Sequence, residues 1–134
     1  MQRVGQRIRN RALIALVLIS MTGCTALRPS PGGEIDHVVI IWLKDHGNAH
    51  QQQQMIDRSK TFNQIPGVLS ISVGTCLPST RPVVDSSYDV ALVMRFASEQ
   101  ALQEYDQHPI HKKAVQELLA PLAAKFLIYD FRVK

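Results

Sequence analysis

The side chains best suited to chemistry in this chain crowd into one short stretch. Tyr105-Asp106-Gln107-His108-Pro109-Ile110-His111 holds two of the five histidines, a tyrosine and a proline within seven residues. Histidine changes charge near neutrality and can take or give a proton there. A phenol can donate a hydrogen bond to a developing negative charge. General acid–base chemistry is therefore the class this stretch could serve. The structural alternatives are equally concrete: His108 as a helix cap, Tyr105 as a core aromatic, and His111 as a packing residue. His37 is the third candidate, either facing the same site or sitting in the core with its ring hydrogen-bonded. No His/Cys/Asp/Glu spacing in the chain demands a metal, and no cofactor is expected.

These residues need elements to hold them. Asp36 to Lys44 is β-branched and apolar on both faces, with His37, Val39, Ile41 and Leu43 on one and Val38, Ile40 and Trp42 on the other. Asn48 caps a helix that Pro66-Gly67 ends at Ile65. Val68–Cys76 and Ser87–Phe96 read as strands, separated by a loop with Pro78 and Pro82. Ser98 caps a helix to Asp106, and Pro109 opens another that runs to about Ala123, with Pro121 straining its last turn. Phe126 to Val133 closes the chain as a strand that turns Phe126, Ile128 and Asp130 to one side. The order β-α-β-β-α-α-β predicts an α+β, ferredoxin-like domain: a four-stranded antiparallel sheet with helices on one face. Val39, Ile41, Leu92, Phe126 and Ile128 then lie on the sheet face under the helices.

The opposite face would expose Val38, Ile40, Trp42, Ala91, Val93, Leu127, Tyr129, Phe131 and Val133. A contiguous apolar surface of that extent is rare on a soluble monomer. A second copy, sheet against sheet, is the simplest cover, and a homodimer is expected.

The formal charge of +4 comes from the start of the chain. Residues 1–23 carry Arg3, Arg7, Arg9 and Arg11 and no acid, whereas residues from Cys24 onward carry 11 basic and 11 acidic side chains. The domain has no basic stripe with interleaved aromatics, so nucleic acid is not an expected partner. The arginine-rich start leads into the apolar run Ala12–Ile19 and then Ser20-Met21-Thr22-Gly23-Cys24, the layout of an export signal. The run is too short to span a bilayer as a mature helix, which takes about 20 residues. Thr22-Gly23-Cys24 resembles a bacterial lipobox. The resemblance implies cleavage before Cys24, lipidation of its thiol with palmitate-type acyl chains, and a periplasm-facing anchor in the cell envelope. Thr25 is unlike the aspartate that retains lipoproteins at the inner membrane, which points to the outer one. An ordinary signal peptide or an uncleaved anchor is the alternative. The division expected is a signal peptide at 1–23, a Pro/Gly-rich tether at 24–35 and a domain at 36–134. Cys76 reads as a buried, inert thiol on a strand; a Cys24–Cys76 disulfide competes if no lipid is attached.

His37, Ile65-Pro66-Gly67-Val68, Gly74, Tyr88-Asp89, Phe96-Ala97-Ser98, Tyr105, His108-Pro109-Ile110-His111 and Asp130-Phe131 together resemble the stress-responsive A/B barrel family, in the dimeric α+β barrel superfamily. The resemblance spans Asp36 to Val133 and implies a homodimer whose two sheets close into a barrel, with a pocket in each subunit between sheet and helices that Val39, Ile41, Leu92, Phe126 and Ile128 would line, with His108 beside it. Some members are cofactor-free polyketide cyclases, lyases in class, whose motif places the catalytic roles on Tyr105 and His111, with His37 across the pocket; a monooxygenase-like reaction is a further form of the enzyme reading. The chain departs from those cyclases on its first helix, where Gln54, Met55, Arg58 and Ser59 replace bulky apolar residues. The expected function is binding of a small apolar or aromatic molecule by a membrane-anchored homodimer, with a cofactor-free enzyme using His111 and Tyr105 as the alternative.

Overall fold

The computed structural model describes residues 32–134. The expected signal peptide, the lipidation site Cys24 and most of the tether lie outside those residues. Strands β1 (Ile35–Leu43), β2 (Val68–Thr75), β3 (Val90–Phe96) and β4 (Ala123–Arg132) form one antiparallel sheet in the order β2-β3-β1-β4. Helices α1 (Ala49–Lys60), α2 (Glu99–Gln107) and α3 (Pro109–Ala114) connect them, giving the expected α+β, ferredoxin-like plan. The core lies between sheet and helices. Val39, Ile41, Val90, Leu92, Met94 and Phe96 point into it from the sheet, and Met55, Phe62, Leu102 and Tyr105 meet them from the helical side.

Local chemistry sets the element ends. Asn48 accepts a hydrogen bond from the Gln51 amide and Ser98 one from the Ala101 amide, as N-caps do. The first helix is shorter than the predicted single helix to Ile65. It tightens into a 3₁₀ turn over Thr61–Gln64, and Ile65 is extended because Pro66 disfavours helical geometry in the residue before it. The predicted helix from Pro109 to Ala123 is likewise interrupted. After α3 the chain widens into a π turn (Val115–Leu119), followed by one helical turn (Ala120–Leu122). Pro121 has no amide to give and its ring crowds the carbonyl four residues back. The Ala120 amide instead reaches the Val115 carbonyl, five residues back.

The sheet edges also differ in detail from the sequence reading. β1 starts at Ile35, and the Val133 amide bonds to the Glu34 carbonyl, so the end of the tether joins the sheet. β2 ends at Thr75, which leaves Cys76 beyond the strand and partly exposed rather than buried within it.

Asp89 organises the turn after β1. It is fully buried, and its carboxylate accepts from the amides of Leu43 (2.8 Å) and Gly47 (2.7 Å) and from Gln52 Nε2 (3.3 Å), with His46 Nδ1 at 3.0 Å. Burial opposes the charge, but these hydrogen bonds outweigh it and hold the carboxyl below its ordinary range. One side chain thus joins the end of β1 to the start of α1.

Two glycines distinguish backbone need from close packing. Both Gly47 (φ +77°) and Gly67 (φ +86°) are left-handed, but a Cβ on Gly47 would meet open space, whereas one on Gly67 would lie 2.5 Å from the Ala101 Cβ on α2. Gly47→Ala should cost about 1 kcal/mol, the left-handed penalty alone. Gly67→Ala should add a packing clash and cost roughly 2–4 kcal/mol. Urea denaturation of both variants measures the difference, and equal losses would contradict the contact between Gly67 and α2.

Candidate functional site

A cavity of about 90 Å³ opens between the sheet and the helices. β1 contributes His37, Val39 and Ile41, β3 contributes Leu92, and β4 contributes Ile128. Met55, Arg58 and Ser59 form its α1 wall, Phe62 comes from the 3₁₀ turn after it, and Tyr105, Asp106 and His111 come from α2 and α3. The π turn adds Val115, Leu118 and Leu119. The widened backbone before Pro121 therefore forms part of the wall, and such turns often occur at functional sites.

Tyr105 is the centre of the polar cluster. Its side chain is almost wholly buried. Its ring lies 4.2 Å from that of His111 at 33° and 6.0 Å from that of His37, and it packs edge-on against Phe62 (5.6 Å). Residues more than sixty positions apart are thus brought around one ring. Burial pushes the phenol pKa up, with a smaller contribution from the Asp106 charge, so the hydroxyl stays protonated and available as a donor.

The two histidines have different second partners. His111 Nδ1 lies 3.3 Å from the Asp106 carbonyl oxygen. A carbonyl only accepts, so Nδ1 carries the proton and Nε2 is left with its lone pair. Burial pushes the His111 pKa down; the Asp106 carbonyl and carboxylate oppose that shift, and nearby His37 adds to it. His111 is consequently neutral at pH 7, the state required of a base. His37 is buried, with Nδ1 2.6 Å from the Asp130 carboxylate on the neighbouring β4. That contact fixes the ring across the cavity from the helices.

Of the residues expected to line a pocket, His37, Val39, Ile41, Leu92, Tyr105, His111 and Ile128 do so. His108 does not; its Nδ1 accepts from the Ile110 amide and caps α3. Phe126 faces the expected side but belongs to the edge strand β4, beyond the reach of the helices, and is 46% exposed. The resemblance put Met55, Arg58 and Ser59 at positions that line the pocket in the cyclases, and they line the cavity here. The sequence reading missed Phe62, Asp106 and the π-turn residues; Phe62 was detectable, because Met55, Arg58, Ser59 and Phe62 follow the i, i+3, i+4, i+7 spacing of a single helix face. Among the described residues no cluster of His, Cys, Asp and Glu has the arrangement of a metal site.

The family model for the stress responsive A/B barrel domain matches residues 35–133. The chain belongs to that family. Among solved structures, a family protein with a ferredoxin-like fold from Mesorhizobium loti is 28% identical; the match covers 76% of this chain and 98% of that one, at a TM-score of 0.62. A dimeric ferredoxin-like protein of unknown function from Thermobifida fusca is 24% identical, over 77% and 93% of the two chains, with a TM-score of 0.64. The hydroxynitrile lyase of Passiflora edulis is 18% identical over 78% and 96%, with a TM-score of 0.67. None of the curated proteins matches the chain.

The depressed His111 pKa in this A/B barrel domain has a testable consequence. A histidine that resists protonation when folded binds fewer protons than it does unfolded, so stability falls as pH drops through the ordinary value of 6.5. Asp89 loses its contribution further into the acid range, as pH falls below the ordinary carboxylate value of 3.8 toward its lowered folded value. Denaturation midpoints between pH 8 and pH 5 should decline, and His111→Phe should flatten that part of the curve. A wild-type midpoint that rises below pH 6.5 would contradict the burial of His111.

Proposed function

We propose that this A/B barrel protein is a homodimer, anchored to the bacterial cell envelope through a lipid on Cys24, whose cavity binds a small apolar or aromatic molecule. The observation that carries the binding reading is the make-up of the cavity. Apolar side chains from both layers form most of its wall, and Tyr105, His111 and His37 converge on it. That combination of an apolar body with a few placed polar groups is the usual design of a small-molecule site. Its size restricts the guest. A dry apolar cavity of about 150 Å³ takes up benzene, so one of about 90 Å³ suits a compact molecule or one whose remainder extends past half-exposed Ile128. A multi-ring polyketide is a poor fit.

Dimerisation is supported by the helix-free face, where Val93, Leu127, Tyr129 and Phe131 are exposed, and by likeness to a solved protein described as dimeric. The lipid anchor rests on the Thr22-Gly23-Cys24 sequence. No helix among the described residues is long and apolar enough to cross a membrane.

The neutral His111 favours a second reading, cofactor-free proton transfer. Nε2 of His111 would take a proton from a carbon next to a carbonyl, and the Tyr105 hydroxyl would hold the resulting oxyanion. A protein of this fold being a hydroxynitrile lyase makes a lyase compatible with the scaffold, though at that identity the likeness carries the fold and not the reaction.

Native mass spectrometry of the full chain released from membranes tests binding. A co-purified small molecule is expected in wild type and in His111→Phe, which keeps a ring beside Tyr105. Its absence from both would contradict the binding reading. If turnover of the identified molecule is found, His111→Phe should lower it by about 10²-fold or more while binding persists. Labelled palmitate should enter wild type and be absent from Cys24→Ala; an unlabelled wild-type chain would contradict the anchor.

A further inference from the structure

Arg58 is the charged group in the cavity wall for which binding of an apolar molecule gives no account. Its side chain is about two-thirds buried, on the inward face of α1 beside buried Ser59. One guanidinium nitrogen, Nη2, lies 3.2 Å from Glu117 Oε2. Arg95 provides the contrast within the same protein: its Nε and Nη2 hold both oxygens of Asp36, at 2.7 and 2.8 Å. The Arg58 contact is single-pronged, and its partner is a half-exposed carboxylate with a second cation near it, Lys113 Nζ at 3.8 Å. Glu117 would therefore keep a cation if Arg58 turned away. Arg58 also lines the cavity, and a planar two-oxygen anion is the partner that matches a guanidinium fork best.

We propose that the ligand is a carboxylate: a compact apolar body ending in a carboxyl group that takes the place of Glu117 on Arg58. The inference rests on the binding reading above and names its ligand class. Glu117 holds the guanidinium in position while the cavity is empty. It stands on the π turn, whose neighbours Val115, Leu118 and Leu119 meet the apolar body. Asp106 also borders the cavity and is the one acid in its lining; it repels an anion, which therefore favours the α1 wall. His111, neutral at pH 7, adds no charge to that attraction.

The test compares two matched pairs of probes on the full chain in detergent, benzoate with benzamide and butyrate with butyramide, by ligand-observed NMR and calorimetry at pH 7. The carboxylate of each pair should bind about tenfold or more tighter than its amide. Arg58→Gln should abolish that preference, so that acid and amide of each pair bind with the same affinity. Glu117→Gln, which removes the competing carboxylate, should widen the preference for acid over amide. Equal affinity for acid and amide in wild type, or a preference that survives Arg58→Gln, overturns the carboxylate proposal while leaving the apolar pocket standing. If neither member of either pair binds, the pocket reading fails and the proposal falls with it.

Discussion

The helical layer covers three strands of a four-stranded sheet and leaves the fourth bare. β2, β3 and β1 lie under the helical layer; the inward residues of β3 and β1, among them Ile41, Val90, Met94 and Phe96, are sealed from water, and those of β2 are partly buried. β4 lies at the edge, and Phe126 and Ile128 on the helix side are as exposed as Tyr129 and Phe131 on the other. That shortfall creates the cavity, because the last layer of packing between β1, β4 and the helices is missing. It also leaves the helix-free face with an apolar surface that burial in this chain alone does not satisfy.

Within that frame, a few polar groups fix geometry that apolar packing cannot. Asp89 ties the end of β1 to the start of α1 through amide hydrogen bonds, which sets the placement of Met55, Arg58 and Ser59 over the sheet. The His37–Asp130 contact joins β1 to the bare edge strand on the cavity side. On the opposite face, the Arg95–Asp36 pair crosses from β3 to β1. Asp89 and Asp36 are buried, and removing the partners of a buried carboxylate is costly even where the contact adds little net stability. These contacts serve here to hold register and to aim side chains.

The parts of this arrangement governed by short-range rules were legible in the sequence. Alternation placed His37, Val39 and Ile41 on one face of β1, and the caps at Asn48 and Ser98 located two helix starts. The meeting of His37, Tyr105 and His111 followed from the fold and the family pattern. Other features depended on long-range or non-standard geometry. Phe126 obeys the alternation but lies outside the helical cover, a fact of layer width and not of local pattern. The π turn follows from Pro121, which reads in sequence as a terminator and acts instead as the cause of a wider turn upstream. Arg58 and Ser59 stood out as the polar departure from the cyclases on the first helix, but the contact of Arg58 with Glu117 depended on tertiary packing.

The helix-free face needs a cover, and the proposed cover is a second copy of the chain. Sedimentation velocity of the full chain in a non-denaturing detergent measures this most directly, with Tyr129→Glu as the comparison. Two chains per particle are expected in wild type and one in the variant. A wild-type particle containing a single chain would contradict the account.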